Sequence, residues 1–168
     1  FQGTYDDVTY WLKNGVVDLG FLSTSSAKDI PIEPLWRDPL LCIVPKGMKK
    51  EKDTDYMDIG EIRNHQFVTQ RESTDADIQN FLKENSINIQ SNYHVVDDLS
   101  TVAMVANGFG ICLMPQMVMR DIPYEVDCYP VQPYAERVIG LATLHPEFLA
   151  PAVRSMYNHI LENYKEDF

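Results

Sequence analysis

Residues 97–116 carry the pattern that constrains this chain most: Asp-Asp-Leu-Ser-Thr-Val-Ala-Met-Val-Ala-Asn-Gly-Phe-Gly-Ile-Cys-Leu-Met-Pro-Gln. Asp98 and Ser100 can offer side-chain oxygens to the free amides at a helix start. Leu99, Val102, Val105 and Ala106 supply an apolar face at helical spacing, and Gly108 ends the helix. A short apolar run over 111–114 follows, and Pro115 stops it. A helix handed through Gly-Phe-Gly into a buried strand is an α/β unit. The expectation is an α/β fold built on mostly parallel sheet flanked by helices, whose ligands sit beyond the strand ends.

The rest of the chain extends that alternation. Thr4 can cap a first helix by accepting from the amide of Asp7, with Val8, Trp11 and Leu12 as its buried stripe and Gly15 as its end. A buried strand is expected over 16–22, followed by the hydroxyl-rich loop Ser23-Thr24-Ser25-Ser26. Hydroxyls at a strand exit are well placed for a ligand, although a plain solvated loop reads the same way. Further strands are expected over 40–44, 66–70, 93–96, 126–131 and 137–144. Helices are expected near 57–63, after Thr74 and Asp77, and from Pro151 onward, where Val153, Met156, Tyr157, Ile160, Leu161 and Tyr164 keep helical spacing. A short helical piece is expected over 116–120.

Composition narrows the function classes. Fourteen basic against 25 acidic residues give a formal charge of −11, which repels a phosphate backbone. No apolar run reaches the roughly 20 residues needed to cross a bilayer, and no export signal opens the sequence, so neither a membrane nor secretion is expected. Cys42, Cys112 and Cys128 lack a Cys-x-x-Cys pairing and read as free thiols of a reducing compartment. The histidines, His65, His94, His145 and His159, lack ligand spacing, so no metal is expected. No Gly-x-Ser-x-Gly elbow, phosphate loop or His-Glu-x-x-His occurs, and Asn107-Gly108-Phe109-Gly110 follows a helix where a dinucleotide site would follow a strand. Neither an enzyme nor a cofactor is expected.

Four stretches, in this order, carry a resemblance: Gly3-Thr4 with Leu12-Lys13-Asn14-Gly15-Val16-Val17-Asp18-Leu19-Gly20-Phe21, Pro39-Leu40-Leu41-Cys42-Ile43-Val44-Pro45, Gln66-Phe67-Val68, and Val105-Ala106-Asn107-Gly108-Phe109-Gly110-Ile111-Cys112-Leu113-Met114-Pro115. Together they resemble the effector-binding domain of LysR-type transcriptional regulators, a two-lobed fold like type 2 periplasmic binding proteins. The resemblance implies one domain over 1–168, with lobe I at about 1–44 and 146–168 and lobe II at about 45–145. It implies a small-molecule effector held in an interlobe cleft, a homodimer or tetramer, a cytoplasmic location, and DNA contact only through a winged helix-turn-helix region that this sequence does not contain. The family's domain also begins with a strand, a hydroxyl-bearing loop and a helix ahead of the point matching Phe1. An incomplete chain, or strand pairing with a neighbour, is the expectation there. A solute-binding protein of a transport system shares the fold and is the alternative.

Carried onto these positions, the effector contacts expected are Thr4, Ser23, Thr24, Gln70, Arg71, Ser73, Asp98, Ser100 and Pro115. Independently of the family, capped helix N-termini at Thr4, Thr74 and near Asp98 present amides that attract a carboxylate. A small organic anion is therefore the expected ligand, with Arg71 as its salt-bridge partner.

Overall fold

The computed structural model describes residues 1–26, 29–70, 76–89, 91, 93–95 and 97–166. The chain forms two compact units, one of residues 1–38 with 137–168 and one of residues 39–136. The expected boundaries at 44/45 and 145/146 thus shift. Residues 40–44 belong to the second unit, and residues 137–144 belong to the first.

Unit 1 is a sheet with a helix on each face. Strand β1 (Gly20–Ser23) pairs antiparallel with β8 (Glu136–Ala142), and β8 lies beside the first part of β2 (Ile32–Pro45). Side chains alternate across a strand, so adjacent β8 residues serve opposite faces. Ala142 joins Leu12, Leu22 and Ile30 under helix α1 (Tyr5–Lys13), while Leu141 joins Leu35 and Ile160 under helix α5 (Pro151–Tyr164). The expected stripe on α5 narrows to Ile160 with Tyr157 and Leu161 beside it, because Met156 and Tyr164 face solvent. The strand expected over 16–22 starts only at Gly20, with Val16 and Phe21 about half exposed.

Unit 2 repeats the three-layer plan. Strand β2 is flanked antiparallel by β6 (Cys112–Pro115) and β7 (Val126–Gln132), and β3 (Met57–Asp58) runs parallel to β7. A parallel bridge from Phe67 to Ile111 carries the sheet on to β4 (Val68–Gln70), which pairs parallel with β5 (Tyr93–Val95). Cys42 and Leu113 point to one face, with Ile62 of helix α2 (Ile59–Ile62) and Ile78, Phe81 and Leu82 of helix α3 (Ala76–Glu84). Ile43, Cys112 and Met114 point to the other, under Val102 and Val105 of helix α4 (Asp98–Ala106). The α/β class matches expectation, but the pairing is mixed. β2 crosses between the units in one pass and the chain returns through β7 and β8, so the connecting strands run antiparallel.

Prolines hid the length of β2. Pro34 and Pro39 interrupt its sequence, and a proline inside a run normally argues against a strand. Yet the strand runs for 14 residues.

Candidate functional site

Each unit presents a polar edge at one end of its sheet. In unit 1 this edge holds Thr4, Ser23 and Thr24. Thr4 is the N-cap of α1: its hydroxyl accepts from the Asp7 N–H, and the Thr4 N–H donates to the Asp7 carboxylate at 2.9 Å, the reciprocal arrangement that the sequence predicts. Ser23 is fully buried at the end of β1, and its carbonyl accepts from the Ser26 hydroxyl at 2.7 Å. The Thr24 N–H donates to the Val138 carbonyl. Because α1 feeds β1, its N-terminus returns to the strand's exit, so these three residues share one edge.

Beside them lies a group that the sequence reading missed. Arg137 donates from Nε and Nη2 to Asp38 Oδ2 at 2.9 and 2.8 Å and from Nη1 to the Tyr5 hydroxyl at 3.1 Å. The Asp38 side chain is fully buried and that of Arg137 is 18% exposed. A lone arginine opening the apolar run Val138-Ile139-Gly140-Leu141-Ala142 was the available signal, since a cation is placed there only when paired.

In unit 2, β4, β5 and β6 run parallel or bridge in parallel, so Gln70, the start of α4 and Pro115 fall at their common C-terminal edge. The helix cap is Asp97 rather than Asp98 or Ser100. The Ser100 N–H and hydroxyl both donate to the Asp97 carboxylate at 2.8 Å, and the Thr101 hydroxyl donates to the Asp97 carbonyl. Leu99, expected on the buried face, is 47% exposed, and buried Thr101 stands beside Val102 and Val105 instead. Val102 and Val105 keep the expected face, and Leu99 falls just off it in the first turn, where Thr101 takes the inward place. Arg71, Ser73 and Thr74 lie outside the described residues, and the side chain of Gln70 is likewise not described.

These caps alter the electrostatic expectation. Both described helix starts at the polar edges are met by their own carboxylates, Asp7 at α1 and Asp97 at α4. Hydrogen bonding from the Ser100 backbone N–H, then from its hydroxyl, lowers the Asp97 pKa below the usual carboxylate value. A carboxylate with a depressed folded pKa stabilises the fold above its ordinary pKa, and that contribution is lost as pH falls through the folded value. Asp97→Ala should therefore lower the melting temperature by more at about pH 7 than at about pH 3, with Asp97→Asn falling between at about pH 7. Equal losses at both pH values would show that the cap acts through something other than charge.

Burial, followed by the nearby Glu61 charge, pushes the Cys42 thiol pKa far up, away from a thiolate. Among the described residues no group of three or more His, Cys, Asp or Glu is placed to hold a metal ion, and no helix is long and apolar enough to cross a membrane.

The sequence family described as LysR substrate binding domain matches residues 1–165. The chain belongs to that family. Among curated relatives, the probable HTH-type transcriptional regulator LrrA of Synechococcus elongatus is 25% identical over 144 residues, covering 84% of this chain and 48% of that protein. The uncharacterized HTH-type transcriptional regulator YybE of Bacillus subtilis is 25% identical over 182 residues, covering 99% of this chain and 62% of that protein. The chain thus spans about half to three-fifths of the length of such relatives. Among solved structures, the effector-binding domain of QuiR in complex with shikimate matches with a TM-score of 0.83 at 23% identity, covering 96% of this chain and 78% of that one. The regulatory domain of Synechocystis PCC6803 CcmR in complex with 2-PG matches with a TM-score of 0.83 at 15% identity, covering 97% of this chain and 81% of that one. These likenesses establish the two-unit fold of LysR effector-binding domains.

Proposed function

We propose that this LysR substrate-binding domain senses a small organic acid and passes that signal to a DNA-binding region elsewhere in a dimeric or tetrameric cytoplasmic regulator, without catalysis. The observation that carries this reading is the family match across residues 1–165. Shikimate in the QuiR domain supports the ligand class. The candidate contacts are Thr4, Ser23 and Thr24 on the edge of unit 1, Gln70, Asp98, Ser100 and Pro115 on that of unit 2, and Arg71 and Ser73, which lie outside the described residues. Asp7 and Asp97 already meet two helix starts, so the anion preference leans on Arg71 and the hydroxyls more than on helix amides.

A ligand acts on such a domain only through its different affinity for two conformations. Binding to the folded chain also raises its stability, by about 2.7 kcal/mol when the ligand stands at a hundred times its Kd. A thermal-shift screen of shikimate and other small carboxylic acids, set against neutral sugars and amides, is the direct test. At least one acid should raise the melting temperature, and Arg71→Ala and Thr24→Ala should each shrink that rise. A screen in which only uncharged compounds bind, or in which both variants respond like the parent, overturns the anion reading.

A further inference from the structure

Asp38 and Arg137 occupy special places in the chain. Asp38 is the last residue of unit 1 before the first crossing to unit 2, and Arg137 is the first residue of unit 1 after the return. The bond between them therefore joins both crossing strands at their unit 1 ends. The third arm of the guanidinium reaches Tyr5, the first residue of α1, directly after the cap Thr4. Tyr5 itself packs against the core of Leu12, Leu22, Ile30 and Ala142. All three guanidinium nitrogens are engaged, two by a buried carboxylate and one by a phenol on the helix that bears a candidate effector contact.

We propose that Arg137 is a positioning residue that couples the crossing strands to the first turn of α1. This rests on the reading of Thr4 as an effector contact and adds how that contact is tied to the crossings. Arginine suits this role because its planar fork holds two partners in fixed directions, which a lysine ammonium does not. A displacement of Asp38 or Arg137 along the crossing strands is passed through Nη1 to Tyr5, and from there to the Thr4 cap. An effector that settles against Thr4 is likewise felt at the crossings. Asp38 anchors the arginine, and Tyr5 is the output arm.

Site-resolved hydrogen exchange on the whole chain tests the coupling without any effector, so its failure would leave the proposed function standing. The reporters are the amides of Asp7 and Val8, which donate to the Thr4 hydroxyl and carbonyl, and the Leu40 amide, which donates to the Ala135 carbonyl next to the crossings. Tyr5→Phe removes the hydroxyl that receives the third arm of the guanidinium. It should speed exchange at Asp7 and Val8 about tenfold and leave Leu40 unchanged. Arg137→Lys keeps the charge but loses the fork, so it should speed exchange at all three. The Arg154 amide in the first turn of α5, bonded to the Ala150 carbonyl, serves as the control. The proposal fails if Asp7 and Val8 exchange at the parental rate in both variants. It fails equally if Arg154 shifts as much as they do, because the arginine would then be a general stabiliser of unit 1.

Discussion

Gly110→Ala should destabilise unit 2 by about 2–5 kcal/mol, the sum of a strained backbone and an overpacked contact. Gly110 has a φ of 152°, and a Cβ added there would lie 2.4 Å from the Gln66 carbonyl oxygen and 2.9 Å from its carbon. That carbonyl accepts from the Ile111 N–H, and the Val68 N–H donates to the Ile111 carbonyl, so the clash falls on the bridge joining β4 to β6. Nothing flexible stands between the two backbones to absorb it. Gly108 is the internal comparison, with a φ of 79° but open space around it; Gly108→Ala should cost only about 1 kcal/mol. Urea denaturation of both variants checks the difference. Equal midpoints would mean that positive φ alone sets the requirement for glycine at both positions.

The second large effect is expected from Asp38→Ala. It leaves the Arg137 guanidinium, only 18% exposed, without its carboxylate, and an uncompensated buried charge typically costs about 3–5 kcal/mol. Removing both partners is a different matter, because two apolar residues of similar volume can replace a buried pair at little net cost. The double variant Asp38→Leu, Arg137→Met should therefore recover most of the stability that Asp38→Ala loses. Denaturation midpoints of the single and double variants decide. A double variant as unstable as the single one would locate the loss in packing around Asp38 rather than in the stranded charge.

Local patterns in the sequence were legible where one segment contains its own explanation. The Thr4 and Asp7 box, the helix ends at Gly15 and Gly108, and the hand-over from α4 into β6 all depend on neighbours within a few residues. Errors arose where the deciding partner was distant. Leu99 reads as core by spacing, yet the packing of α4 on its sheet leaves it half exposed and takes Thr101 inside with Val102 and Val105. The prolines of β2 argue against a strand until β6, β7 and β8 supply its neighbours. For the candidate site, the family pattern named hydroxyls at strand exits, and the fold gathers the described ones onto two sheet edges. Arg137 carried a local signal as a lone cation before an apolar run, but its partners Asp38 and Tyr5 lie far off in the chain, on β2 and α1, and no local pattern pointed to them.

The threading of the two units has a practical corollary. Residues 39–136 form unit 2 as one uninterrupted segment, while unit 1 is assembled from both flanks. The segment begins and ends on adjacent strands, since the Leu40 N–H donates to the Ala135 carbonyl at 2.9 Å. Unit 2 is thus an insert whose two ends meet, a cassette with paired junctions. A cassette of this kind can be cut out at two points, so expressing residues 39–136 alone tests whether unit 2 folds without its flanks.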